Sequence, residues 1–319
     1  MPNIAVELRR AWNDCAPLTA TSVLMLAALV DACAGLFLDP RIITGVPAWL
    51  KPAKFAISTA IFSGTIAWLY RYITIWPRFM RVVGWVLASV LVFEVAIIYV
   101  QAGRGTTSHF NAATPLDTTL FAVMGAGIGI LWLASVAVLI ALLRQKFENP
   151  AWGWLLRLGM LITVLGSSGG ALMLRMTPEQ TAALHATHTV RAVGGHTVGA
   201  SDGGPGLPGV GWSTQHGDLR VPHFFGLHGL QIIPFVGWLA LRRRRNEAAA
   251  RQIGFVFAIA ASYLALVAIL TVQALRGQSM VNPDGATVIA LALWLGTSAV
   301  GVFLMRGASL PERARAAAR

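Results

Sequence analysis

Apolar residues run in long blocks along almost the whole chain, and polar residues collect in the short stretches between them. A helix rising 1.5 Å per residue needs about 20 apolar residues to cross a bilayer. The blocks predict eight spans, near 18–38, 52–71, 82–101, 118–143, 152–174, 223–241, 252–275 and 285–305. The expected fold class is therefore an all-α integral membrane protein. Charged residues make up only 12% of the chain, against about 25% in a soluble domain.

The polar ends of the blocks repeat. "VQAGRGTTSHFN" (100–111) ends the third span and "VQALRGQSMVN" (272–282) the seventh, with Asp117 and Asp284 following each. A shift of 170 residues aligns Pro52 with Pro222, Phe55 with Phe225, Trp68 with Trp238 and Leu69 with Leu239. These matches predict a tandem duplication of a four-helix unit, 1–150 and 151–319. Four spans return the chain to the same side, so the two units are expected to run parallel. The second unit carries an insert, 176–221, rich in Gly, Pro and His. It is too polar to span and is expected to form a cap. Within it, Thr177, Pro178 and Gln180 predict the start of a short helix.

Charge then orients the chain. The net charge is +12, and if the spans alternate, sixteen Lys and Arg fall on one side against eight on the other. Basic loops stay inside, which places both termini in the cytoplasm and the cap outside. This distribution sets topology and argues against a nucleic-acid partner; the lipid bilayer is the expected one. The basic residues are 22 Arg and 3 Lys, which suits a GC-rich bacterial genome and an inner-membrane location. Cys15 and Cys33 sit at opposite ends of the first span, about 27 Å apart on a straight helix, too far to pair.

This topology gathers all seven histidines on the outer side. His228 and Gln231, three residues apart, share one face of the sixth span. On a straight helix His223 would lie about 140° from His228, at the rim. The expected cofactor-binding set is His228, His223, His109 and Gln231, with Arg104 and Arg276 as planar donors to an anionic group. The expected metal set is His216, Asp218, His223 and His196. Asp31, Glu94 and Lys54, at matching depth, are expected to pair as an intramembrane charge cluster. No HExxH, CxxC or nucleophile elbow occurs, and "GSSGG" (166–170) reads as close helix packing.

Three functions fit these residues. The first is a membrane oxidoreductase or electron-transfer protein with haem b or a transition metal at the outer face, serving a quinone or a periplasmic redox partner. Eight spans in two bundles are similar in helix count to haem A synthase, but the paired axial histidines of each half are missing here. The second is a transporter of a small polar or anionic solute with its site between the repeats. The third is a non-catalytic sensor or assembly factor.

Overall fold

The computed structural model describes residues 4–307. The basic positions Arg313, Arg315 and Arg319 lie outside them. The described chain is all-helical: α1 (Ile4–Leu38), α2 (Leu50–Tyr70), α3 (Pro77–Gly103), α4 (Pro115–Arg144), α5 (Pro150–Ser168), α6 (Pro178–Thr187), α7 (Arg220–Leu227), α8 (Gly229–Leu241), α9 (Ala249–Leu275) and α10 (Gly285–Gly307). A 3-10 turn, Gly169–Leu174, extends α5. Two short hairpins, Ile42–Ile43 with Val46–Pro47 and Thr197–Val198 with Gly217–Asp218, complete the regular structure.

Six of these helices are long and apolar enough to cross a membrane: α1, α3, α4, α5 with its 3-10 turn, α9 and α10. A seventh span arises if α7 and α8, bent by 51° at His228, count as one. α2 is absent from that set; Lys51, Pro52 and Lys54 in its first turns lower its hydropathy. The chain therefore has the architecture of a polytopic helical membrane protein, with Phe37, Leu293 and Phe303 among the large apolar side chains turned outward.

Local sequence sets the helix starts. Thr114, Asn149 and Thr177 each accept a backbone N–H from the first turn, and proline follows each at the first helical position. Such a proline gives up only an N–H that has no partner inside the helix. α6 adds a full capping box between Thr177 and Gln180. In α1, Pro17 cannot supply an N–H to the turn before it, and the backbone kinks at Cys15.

The ends of α3 and α9 close in the same way. Arg104 N–H bonds to Val100 O at 2.9 Å, and Arg276 N–H to Val272 O at 3.0 Å. A left-handed glycine follows each, Gly105 at φ +75° and Gly277 at φ +74°. The next amides, Thr106 and Gln278, return to the carbonyls of Gln101 and Gln273 at 3.0 and 3.2 Å. This is the glycine-dependent closure that satisfies terminal carbonyls. The buried Gln101 and Gln273 side chains each donate to the carbonyl six residues on, Thr107 at 3.3 Å and Ser279 at 2.8 Å.

Packing follows one order in both halves. α1 lies on α2 and α3, α2 on α3, and α3 on α4. Correspondingly, α5 lies on α7, α8 and α9, those two on α9, and α9 on α10. The halves meet where α4 packs on α5. One apolar core crosses that seam, joining Leu18, Leu87 and Leu142 to Leu156, Met160 and Leu230. Arg157 of α5 helps to pin it by donating to the terminal carbonyls of α4, Leu142 O at 2.9 Å and Gln145 O at 2.7 Å.

Candidate functional site: a basic cluster above an interhelical cleft

The chain breaks at His228. Its φ of −83° and ψ of 6° leave the helical region, and glycines stand on both sides at 226 and 229. A broken helix frees backbone groups that must be satisfied within the protein. Thr163 of α5 meets this need twice: its hydroxyl donates to Leu227 O at 3.2 Å and accepts from Leu230 N–H at 2.9 Å. Tyr263 of α9 donates to Phe225 O at 2.6 Å. The approach is close because Gly159, Gly166, Gly226 and Gly229 put bare backbone at the α5 contact. The sequence expectation of one straight sixth span, and the 140° angle built on it, is therefore replaced by two short helices meeting at His228.

Above the break, the cap folds over the first turns of α2 and α7. Lys54 donates to Val210 O at 2.9 Å, and Arg220 to Gly211 O at 2.6 Å. Arg220 also grips the buried Asp218 through Nε (2.9 Å) and Nη2 (2.6 Å). Asp218 further accepts Ser213 N–H at 2.8 Å. Asp202 accepts the amides of His196 and Thr197, and pairs with His196 Nδ1 at 2.8 Å. The His196 ring meets Phe110 edge-on, with centroids 4.9 Å apart. His109 lies 5.5 Å from the Phe55 ring, and Lys51 Nζ lies 5.9 Å from the same ring. The cap thus covers a basic cluster, the chamber: Lys51, Lys54, Arg220, His109 and His196. Neither Lys51 nor Lys54 has a carboxylate within salt-bridge distance among the described residues.

Burial and positive neighbours weaken proton binding by both chamber histidines. His109 is held well below its ordinary 6.5 by burial first, then by Lys51 and His196. His196 is also lowered: burial outweighs the opposing pull of Asp202, and Arg220 and Lys51 add to it. Burial would raise the Asp202 carboxyl, but the hydrogen bonds from His196 and Thr197 outweigh it and hold Asp202 well below the usual range.

Below the break, α2 and α8 diverge around a cleft of about 650 Å³. Its walls include Ala60, Ile61, Gly64, Thr65 and Trp68 of α2, and Leu230, Gln231, Pro234, Phe235 and Trp238 of α8. Each α8 residue in that series stands 170 positions after its α2 counterpart, the spacing that aligns the two units in the sequence. Trp152 of α5 adds a third indole. Gln231 Nε2 reaches across to Thr65 Oγ1 at 3.1 Å. A line of ring contacts runs from the cap to the break: Trp212 meets Phe224 at 5.5 Å, and Phe224 meets His228 at 4.4 Å.

The expected residues separate into different settings. His228 is the joint of the broken helix, a turn above the cleft, and does not line it. His223 donates through Nδ1 to Gly166 O at 2.9 Å and faces a second, largely apolar cavity of about 360 Å³ between α5, α7 and α9. The expected metal set does not assemble. His196 is held by Asp202, Asp218 by Arg220 and His223 by Gly166 O, while the amide of His216 bonds to Ser213 Oγ. Among the described residues no three His, Cys, Asp or Glu side chains are grouped to hold a metal ion.

Arg104 and Arg276 are engaged in their own helix ends, with Asp117 at 2.8 Å and Asp284 at 2.5 Å. No ion pair joins Asp31, Glu94 and Lys54. Asp31 lies on the exposed side of α1, Lys54 turns up to the cap, and Glu94 is buried without a hydrogen-bond partner. Equal depth fixes neither azimuth nor reach. Sequence reasoning did not bring Arg220, Asp202 or Thr163 into the site, and Thr163 carries no sign in the sequence. Comparison of the chain with family models, with curated proteins and with solved structures finds no match.

Proposed function

We propose that the protein is a transporter in a bacterial inner membrane, with both termini cytoplasmic, that carries a small anionic solute along the interface of α2 with α7 and α8. The observation that carries this reading is the stacking of chamber, broken helix and cleft on one interface. Discontinuous helices at the junction of repeats are where membrane carriers build solute sites, because the break exposes polar backbone at depth. The shared closure of α3 and α9, the common packing order and the 170-residue spacing across the cleft support a duplicated four-helix unit. In this reading Lys51 and Lys54 receive the anion under the cap, and the Trp212–Phe224–His228 line separates chamber from cleft.

The test is thermal unfolding of the purified protein with a panel of inorganic phosphate, acetate, benzoate and succinate. At least one anion should raise Tm in a concentration-dependent way, as any ligand of the folded state must. Lys51→Ala and Lys54→Ala should remove that rise and also stop uptake of the same anion into proteoliposomes. A panel without effect, or an effect indifferent to both lysines, contradicts the reading.

A second reading rests on His223. Its Nδ1–H is committed to a carbonyl, which leaves Nε2 as the lone-pair nitrogen beside an apolar cavity, the arrangement that orients a metal-binding imidazole. Haem b held there would supply one-electron transfer, consistent with an oxidoreductase. A Soret band in the purified protein, lost in His223→Ala, would favour it over transport.

A further inference from the structure

Glu94 sits in the middle of α3 with 4% of its surface exposed, and neither carboxyl oxygen has a hydrogen-bond partner among the described residues. Its Oε1 points at Gly127 of α4, where a β-carbon would come within 3.0 Å of it. Glycine makes room for this carboxyl at an otherwise apolar helix contact. The corresponding contact of the second half is satisfied differently: Ser262 and Ser298 bond to each other at 2.7 Å between α9 and α10, and Trp294 donates to Ser262 O. Serine pairs are ordinary glue between membrane helices. An unpaired carboxyl is not, because an isolated buried charge costs far more than one hydrogen bond returns.

The elements packed on α3 offer it no counter-ion. On α1, Asp31 and Cys33 are at exposed positions, and Glu7, Arg9, Arg10, Asp14 and Cys15 belong to the other end of the helix. On α2, Lys54 is turned to Val210 O, Lys51 lies over Phe55, and Tyr70 donates to Met80 O. On α4, Asp117 and Arg144 stand at the two ends. On α3 itself, Tyr99 donates to Ala28 O. Among the described residues no His, Cys, Asp or Glu side chains are grouped with it to hold a metal ion.

We propose that Glu94 is a proton-binding site within the membrane, a carboxyl that holds an exchangeable proton at the α3–α4 contact. Nothing in this inference depends on the chamber or on the identity of a transported solute. Such an acid reacts with a lipid-soluble carbodiimide. The carboxyl oxygen bonds to the central carbon while its proton moves to nitrogen, and the acyl group then shifts to nitrogen. A stable N-acylurea results, with no leaving group.

The experiment treats the full-length protein in bilayers with dicyclohexylcarbodiimide near neutral pH and reads the intact mass. One label is expected on the native protein and on Asp31→Asn, and none on Glu94→Gln. Infrared spectra of the native protein in H₂O and D₂O provide a measurement independent of any variant. A protonated-carboxyl stretch should shift in D₂O and be missing in Glu94→Gln. An unlabelled native protein, a label that persists in Glu94→Gln, or a carboxyl band that does not exchange over hours would each overturn the proposal.

Discussion

Gly166 of α5 and Gly226 of α7 face each other so closely that a β-carbon on either would be driven into the backbone of the other. This contact sits directly above the break at His228, and it fixes how near α5 can bring the Thr163 hydroxyl. Gly166→Ala or Gly226→Ala should each destabilise the protein by about 1–3 kcal/mol, the ordinary cost of overpacking. Gly169→Ala, where the added carbon would meet nothing within 4 Å, should be neutral. Unfolding in detergent checks the contrast, and equal behaviour of the three variants would contradict it.

The proposed orientation, with basic loops inside, is testable by labelling. A cysteine at Ser201 should react with an impermeant maleimide only from outside, and one at Ala248 only after the inner face is exposed. Both positions are solvent-facing, so access is decided by the side of the membrane. The reverse pattern would move the chamber to the cytoplasm.

The two helix-end arginines should respond unequally. Asp117 is nearly buried and is shared by Arg104, Gln101 and Thr114, whereas Asp284 is 37% exposed at its side chain. Exposed pairs contribute little and screened pairs less, while removing one partner of a buried pair strands the other. Asp117→Ala should therefore lower Tm clearly more than Asp284→Ala, and added salt should affect only the second pair.

Acid should loosen the cap. His109 and His196 titrate below 6.5 in the folded protein, so an opened cap takes up protons first as the pH falls. The stability they contribute is complete above 6.5 and is lost as the pH drops from there toward their folded values. Asp202, also depressed, adds a further loss as the pH falls through and below the carboxylate range. A spin label at Ser201 should grow more mobile between about pH 7.5 and pH 5.5, and unchanged spectra would show that these groups do not hold the cap.

Much of the fold was legible because hydrophobic blocks and proline-preceded caps are local signals. Thr177-Pro178-Glu179-Gln180 announces α6, and the Gln-x-x-Arg-Gly pattern announces the twin closures at Arg104 and Arg276. The site was less legible because azimuth and reach are tertiary. Asp31 and Glu94 share a depth, yet one faces outward and the other a glycine on α4. His223 and His228 looked like one rim and one interior position, but Gly226, Gly229 and Pro234 mark a helix that does not run straight. Nothing in the sequence joins Lys51 to His196, nearly half the chain away; the folded cap does that.

The hydroxyl of Thr163 touches the last residue before the break, Leu227, and the amide of Leu230, the second residue of α8. α7 and α8 are thus joined through one hydroxyl, and that hydroxyl belongs to a different helix. A change in the 51° angle would have to break or carry these two bonds, with Phe224 on the α7 side and Gln231 and Trp238 on the α8 side. The bend is thus held by a side chain of another helix, so a substitution at Thr163 reaches both α7 and α8 without touching either.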